Sequence, residues 1–295
     1  MIKIGTRGSK LALWQANFLK YSLKQENLDS ELIIISTKGD KIQNLSFDKI
    51  EGKGFFTKEL EEALLKKEID LAVHSMKDMT TEQIPGLCIT AVSDREDPSD
   101  SLIIKKGSYD KNKTYGLKKG AIIGTSSARR KCQIHNYLLD VVLEDIRGNV
   151  PTRIKKLNSE GFDAIVLATA GLNRLQIDLS DYVHTKLITR DFVPAPAQGV
   201  LAYQTREADL DLRRQLLPLH NQETADLTNI ERRLLAAFNG GCHLPMGAIC
   251  KKDTMGNYHA SAMFAQNWKD KPTYAHISQS TTSNLVERLF EQLNK

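Results

Sequence analysis

Short, continuously apolar runs alternate with stretches of helical periodicity along most of this chain, and this alternation limits its fold more than any other feature. The predicted strands are Leu32–Ser36, Asp70–His74, Leu87–Val92, Ala121–Gly124, Val141–Leu143 and Ala164–Ala168. Several lack polar–apolar alternation, as expected for strands that are covered on both faces. Between them, Thr57–Lys67 has apolar residues at helical spacing, with acidic residues early and lysines late. The pattern predicts an α/β fold with largely parallel sheets.

A weak internal repeat indicates that two of the domains are similar α/β units. Ile4–Thr6 is similar to Ile123–Thr125, and each segment closes a strand and opens a helix. Ile69–Val73 is similar to Phe162–Val166, and each follows a helix. The spacings differ, so the two halves are not a strict tandem repeat.

Turn residues and prolines mark two crossings between domains, at Asp97-Pro98 and around Val193–Pro196. The chain is therefore expected to leave its first domain, build a second and return. From about Thr224 the pattern changes to a long helix (Leu227–Phe238), short strands and a helix near Asn284–Leu293. The predicted domains are 1–96 with 195–216, then 97–194, then 217–295. A chain of 295 residues is long enough for three domains that each have a core.

The charge pattern favours small anionic ligands over nucleic acid. The net charge is +5, but aromatic residues make up only 6% of the chain, whereas nucleic-acid binders group cations on one face, often among aromatics. No apolar run approaches the ~18 residues that a membrane span needs. Four cysteines occur without CxxC spacing, and Met1–Ile4 leads directly into a strand, so we expect no signal peptide, no zinc site and a reducing, cytoplasmic setting.

Arginines and hydroxyl residues gather where predicted strands end and helices begin, which is where ligands and anions bind in α/β sheets. A single arginine there is more often a surface ion pair, and a single serine is more often a helix N-cap. Together they indicate a cleft for a ligand with several carboxylates. The residues are Arg7, Ser9, Thr125, Ser126, Ser127, Arg129, Arg130, Arg147, Arg153 and Arg174.

Two further residues could carry chemistry. Asp78 follows a buried strand beside Lys77, where a carboxylate can stabilise a developing cation or move protons. An N-cap or a salt bridge to Lys77 is the alternative role. Cys242 lies between Gly240-Gly241 and Pro245, which favours a presented nucleophile or attachment point, although a packed loop cysteine is commoner.

The polar, glycine-bearing stretch Lys41–Gly54, with Lys53, is predicted to form a mobile lid, and it lacks the spacing of a Walker A loop. His74 is expected to point into the core.

Five motifs in order along the chain resemble those of the porphobilinogen deaminase family, also called hydroxymethylbilane synthases. They are Gly5–Gln15, His74–Asp78, Gly124–Arg130, Ile146–Arg153 and Gly240–Cys242. The resemblance implies two periplasmic-binding-protein-like (type II) domains with the active site between them, plus a smaller α+β C-terminal domain that carries a cofactor cysteine.

The resemblance also implies an activity. Family enzymes are transferases of porphyrin and heme biosynthesis that join four porphobilinogen molecules head to tail, release ammonia each time, and free the linear hydroxymethylbilane by hydrolysis. The growing chain is anchored on a dipyrromethane cofactor, which is thioether-linked at the position of Cys242. The implied protein is a cytoplasmic monomer with no nucleic-acid or membrane partner.

The resemblance assigns roles residue by residue. The position of Asp78 carries the catalytic acid. Cofactor-holding positions match Ser75, Lys77, Thr125, Ser127, Arg129 and Arg130. Substrate-lining positions match Arg7, Ser9, Gln15, Arg147, Asn149, Arg153 and Arg174.

Two segments depart from the family pattern. Met79-Thr80 stands in place of an apolar residue and proline, and Tyr203-Gln204 replaces a commonly acidic strand position, which we expect to have no consequence for the chemistry. Three other functions compete: a non-enzymatic binding protein for small polycarboxylates, a nucleic-acid-binding protein and a cysteine hydrolase. A binding protein needs no presented thiol, and a hydrolase needs a general base beside Cys242.

Overall fold

The computed structural model describes residues 1–36, 57–240 and 244–295. These residues form two compact units. The first comprises 1–36, 57–96 and 198–226, and the second comprises 97–197, 227–240 and 244–295.

Strands and helices alternate along much of the described chain. The strands are β1 (Ile2–Thr6), β2 (Ser30–Ile34), β3 (Leu71–Ser75), β4 (Leu87–Val92), β5 (Asp100–Lys105), β6 (Ile122–Gly124), β7 (Val142–Glu144), β8 (Ala164–Ala168), β9 (Tyr182–Lys186), β10 (Leu201–Arg206), β11 (Met246–Lys252), β12 (Tyr258–Phe264) and β13 (Thr273–Gln279). The helices are α1 (Lys10–Gln25), α2 (Lys58–Leu65), α3 (Ala128–Tyr137), α4 (Val150–Ser159), α5 (Thr169–Arg174), α6 (Leu210–Gln215), α7 (Gln222–Ala237) and α8 (Leu285–Leu293).

The first unit contains a five-stranded sheet in the order β2-β1-β3-β10-β4. Strands β1, β2 and β3 are parallel, whereas β10 is antiparallel to both of its neighbours. The apolar run of β3 is buried throughout except at its last residue. Its side chains pack with those of β1, β10 and α1 in one core cluster, which explains why these strands lack alternation.

The second unit contains a sheet of the same design, in the order β7-β6-β8-β5-β9, with β5 antiparallel to its neighbours. The internal repeat is therefore confirmed: Gly5 of β1 pairs with β3 as Gly124 of β6 pairs with β8. A Cβ on Gly5 would collide with Ile69, and a Cβ on Gly124 would lie 3.0 Å from Phe162, the residue that matches Ile69 in the repeat. Both glycines leave room for an apolar residue just before the next strand.

The prediction of largely parallel sheets was wrong in degree, because half of the strand pairings in each of these sheets are antiparallel. The inserted strands are β5 and β10, which directly follow the two crossings of the chain at residues 96–97 and 197–198. No local pattern reveals the direction in which such a strand inserts, since it depends on where the chain re-enters the sheet.

The C-terminal part of the second unit is a three-stranded antiparallel sheet in the order β11-β12-β13. Apolar residues of α7 and α8 pack against it in a cluster of their own. The predicted fold class is thus confirmed in its architecture: two five-stranded α/β sheets of the same design and a smaller α+β part at the C-terminus. No helix among the described residues is long and apolar enough to cross a membrane.

Candidate active site

Asp78 lies at the end of a short 3-10 turn, Met76–Asp78, that directly follows β3. Ser75 is the N-cap of this turn, so Asp78 does not have the capping role that was its alternative. Its side chain is half-buried, and within residues 1–36, 57–240 and 244–295 no group hydrogen bonds or ion-pairs with the carboxylate. A carboxylate that the surrounding fold does not consume can act on a ligand.

The neighbours of Asp78 are held by buried amides. The Lys77 ammonium donates to Gln198 Oε1 at 3.2 Å rather than forming the predicted alternative salt bridge to Asp78. Gln15, buried on α1, donates through Nε2 to Ser75 Oγ at 2.9 Å. Met79 is buried and its N–H closes the turn on Met76, so the departure from the family pattern at this position leaves the loop packed.

Arg7 and Ser9 follow β1 at the same edge of the sheet. Ser9 caps α1, since its Oγ accepts a hydrogen bond from the Ala12 N–H at 3.2 Å. Its hydroxyl therefore caps α1, which is the role that the sequence analysis gave as the alternative to ligand binding. Arg7 is half-buried beside the positive end of that helix, where anions are favoured.

In the second unit, Thr125 and Ser127 build the turn between β6 and α3. Ser127 is the N-cap of α3 and accepts from the Arg130 N–H at 3.4 Å. Thr125 Oγ1 accepts from the Ser127 N–H at 3.3 Å. Local hydrogen bonding thus fixes the start of the helix that carries Arg129 and Arg130.

Arg129 and Arg130 share one buried carboxylate, that of Asp100 at the start of β5. Arg129 Nη1 and Arg130 Nη2 each lie 2.7 Å from an Asp100 oxygen, and Asp100 is completely buried. The arginines also donate to the carbonyl oxygens of Val193 and Val166, at 2.7 and 2.9 Å. Burial alone would raise the pKa of Asp100, but the two guanidinium charges hold that pKa well below its usual range.

Asp100 is a partner of the two arginines that sequence reasoning missed. It lies two residues after Asp97-Pro98, which the sequence marked only as a domain crossing. The arginine pair lies 29 and 30 residues away along the chain, so only the pairing of β5 within the sheet brings these charges together.

The remaining predicted residues of the second unit lie around α4 and at the end of α5. Asn149 caps α4, accepting from the Thr152 N–H at 3.0 Å, and Arg153 Nε donates to the Gly148 carbonyl at 2.7 Å. Arg147 is half-buried before Gly148, and Arg174 is buried as the last residue of α5.

The predicted site residues thus fall into two sets, one in each unit. The first unit holds Arg7, Ser9, Gln15, Ser75, Lys77 and Asp78, and the second holds Thr125, Ser127, Arg129, Arg130, Arg147, Asn149, Arg153 and Arg174. Cys242 and Lys53 lie outside the described residues.

Replacing Asp100 by asparagine is expected to lower the free energy of unfolding by about 3–5 kcal/mol, because two buried guanidinium groups then lose the carboxylate that they share. Urea denaturation followed by circular dichroism measures this loss. Asp97→Asn is the control: Asp97 pairs with Lys186, whose side chain is 56% exposed, so we expect at most about 1 kcal/mol. Equal losses of stability in the two variants would contradict the interpretation that Asp100 neutralises two buried arginines.

Comparison with known proteins places these observations in a family. A family profile described as "Porphobilinogen deaminase, dipyromethane cofactor binding domain" matches residues 2–214. The porphobilinogen deaminase of Clostridium novyi is 45% identical over 252 residues, which cover 84% of this chain and 83% of that protein. The porphobilinogen deaminase of Sulfurimonas denitrificans is 42% identical over 304 aligned positions, covering 98% of this chain and 95% of that protein.

Among solved structures, the methionine-binding protein MetQ overlaps with a TM-score of 0.45 at 15% identity, covering 81% of this chain and 96% of its own. The sequence matches span most of the chain and most of each relative. By these matches, the chain belongs to the porphobilinogen deaminase family.

Proposed function

We propose that this protein joins four porphobilinogen molecules head to tail, with loss of ammonia, into hydroxymethylbilane, and that Asp78 is its catalytic carboxylate. Family membership supports the activity and does not favour the alternative of a non-enzymatic binding protein. The observation that carries the assignment of Asp78 is its position directly after β3, with no partner for its carboxylate among the described residues.

The residues of the first unit suit the chemistry of the substrate. Porphobilinogen bears acetate and propionate side chains, which call for cations such as Arg7 beside the α1 N-terminus. As ammonia leaves, positive charge spreads onto the pyrrole nitrogen, and a carboxylate fixed nearby stabilises that charge. Asp78 is proposed for this role, and Lys77, tied to Gln198, is proposed to hold a carboxylate.

The second unit fits a dipyrromethane cofactor, which also bears carboxylates. Two guanidinium groups face one aspartate, so the buried cluster of Arg129, Arg130 and Asp100 carries one excess positive charge at the N-terminus of α3. We propose that the arginines, with Thr125 and Ser127, hold the cofactor. When bound, it supplies the primer on which the tetrapyrrole is built.

Further assignments complete the proposal. Cys242 is proposed as the thioether attachment point, and Arg147, Asn149, Arg153 and Arg174 as substrate contacts. The three-domain division 1–96 with 195–216, 97–194 and 217–295 is supported by three sheets with separate core clusters. A cytoplasmic location is supported by the free thiols of Cys88, Cys132 and Cys250.

Intact-mass spectrometry of the purified wild-type protein tests the proposed function. We expect a mass above that of the sequence by one dipyrrole, and after brief exposure to limiting porphobilinogen a ladder of up to four more pyrrole units. A polycarboxylate-binding protein would instead bind porphobilinogen without any covalent increase. Turnover by protein with the bare-chain mass would contradict the proposal.

A further inference from the structure

Three buried polar side chains in the first unit form a hydrogen-bonded chain to which the proposed chemistry gives no role: Glu61 on α2, Gln204 on β10 and His74 on β3. They are only 6%, 4% and 4% exposed. His74 Nε2 lies 3.1 Å from Gln204 Oε1, and the Glu61 carboxylate accepts hydrogen bonds from Thr57 and Gln204. Gln204 therefore bridges an acid and an imidazole.

The Glu61 carboxylate determines the direction of this chain. Burial raises the pKa of Glu61, whereas the hydrogen bonds from Thr57 and Gln204 favour its ionised form, which only accepts. The amide nitrogen of Gln204 faces Glu61, and its Oε1 faces His74. An amide oxygen cannot donate, so His74 must carry its hydrogen on Nε2. We infer that Gln204 is a positioning residue, which transmits the polarity of the Glu61 carboxylate to β3 and fixes His74 as the neutral Nε2–H imidazole.

The charges around His74 oppose a second proton on its ring. Strands β1 and β3 pair in parallel with Gly5 beside Ala72. Two residues further along the same register, Arg7 is level with His74. Burial and, to a smaller extent, the charge of Arg7 lower the pKa of His74 to about 4, against the opposing effect of the Gln204 hydrogen bond. Arg7 after β1 and Glu61 on α2 are the charged groups whose interactions reach this row among the described residues.

A fixed imidazole at this place ties β3 to β10 next to the last residue of β3. Three residues after His74 comes Lys77, followed by Asp78, in the turn that β3 leads into. A fixed His74 would thereby help to position Asp78, and the importance of that position rests on the proposed function. The tautomer and charge of His74 do not depend on the proposed function.

The wild-type protein itself provides the first test, by long-range ¹H–¹⁵N correlation spectra of the histidine rings, with the His74 signals assigned by their loss in His74→Gln. We expect the Nε2–H tautomer, unchanged from about pH 5.5 to pH 8, and a titration midpoint about 4. An Nδ1–H tautomer or a charged ring at pH 7 would overturn the inference. No porphobilinogen is needed, so the result stands whether or not the proposed function does.

Two matched variants supply the second test. Gln204→Glu places a carboxylate against the ring, which favours the imidazolium, so the His74 midpoint should rise by about two pH units or more. Gln204→Met keeps the volume without the charge, so the midpoint should stay low. Equal midpoints in the two variants would overturn the inference, and if Gln204→Glu does not fold, the wild-type tautomer still decides.

The contribution of His74 to the pH dependence of the free energy of unfolding should have opposite signs in the wild type and in Gln204→Glu. In the wild type the folded pKa of His74 lies below the unfolded value of about 6.5, so its contribution to stability is present above pH 6.5 and is lost as the pH falls toward 4. In Gln204→Glu, a raised pKa would make the contribution present below the unfolded value and lost as the pH rises through the folded one.

Discussion

Replacing Cys242 by alanine is expected to give a protein with the mass of the bare chain and no measurable synthesis of hydroxymethylbilane. The dipyrromethane cofactor has no other thiol in the Gly240–Pro245 loop, and without a primer the first porphobilinogen has nothing to join. Intact-mass spectrometry reports the adduct, and a porphobilinogen-consumption assay reports the activity. The expected loss is complete, which makes this the largest effect that we predict.

Cys88→Ala is the matched control for this variant, because Cys88 is the partly exposed thiol of the described residues, while Cys132 and Cys250 are buried in apolar clusters. We expect Cys88→Ala to keep both the adduct and the activity. An adduct that survives in Cys242→Ala and disappears in Cys88→Ala would move the attachment site to β4.

Asp78→Asn is expected to lower the turnover rate about a hundredfold to a thousandfold while the protein remains folded and carries its cofactor. Asparagine keeps the shape of the side chain and removes the charge that would stabilise a cationic pyrrole, and loss of one preorganised electrostatic group has this typical cost. Because no described group pairs with the carboxylate, the substitution breaks no ion pair in the described fold, and the free energy of unfolding should change little.

Steady-state kinetics and urea denaturation on the same preparation separate these two effects. Asp211→Asn changes the net charge equally at a side chain that is 93% exposed on α6, so it should leave both quantities unchanged. A turnover rate in Asp78→Asn that matches the Asp211→Asn control would show that Asp78 has no catalytic role.

Features that depend on neighbours within a few residues could be predicted from the sequence. Leu87–Val92 and Ala164–Ala168 form strands with the predicted bounds, because a continuous apolar run favours a doubly covered strand wherever it occurs. The N-cap positions Ser9 and Ser127 are equally local, since a cap needs only a side-chain oxygen near the next two or three N–H groups. Helix α7 begins at Gln222, earlier than predicted, because its first turn is polar and adds nothing to the apolar pattern.

The site could be predicted as a set of residue types, but not as a set of partners. The sequence marked Arg129 and Arg130 as anion-binding cations, whereas the fold pairs both with Asp100. It treated Gln204 as a departure without consequence, whereas the fold places that amide against His74, 130 residues away.

The division follows from the range of the forces involved. Hydrophobic periodicity, capping and turn chemistry act over one or two turns of chain, so the sequence by itself determined the strands, the helices, the repeat and the family motifs. Buried charges and amides must find partners wherever the chain brings them, because leaving them unpaired costs far more than any local preference. Only the tertiary structure, by inserting β5 and β10 antiparallel into their sheets, decided that Asp100 meets the two arginines and that Gln204 meets His74.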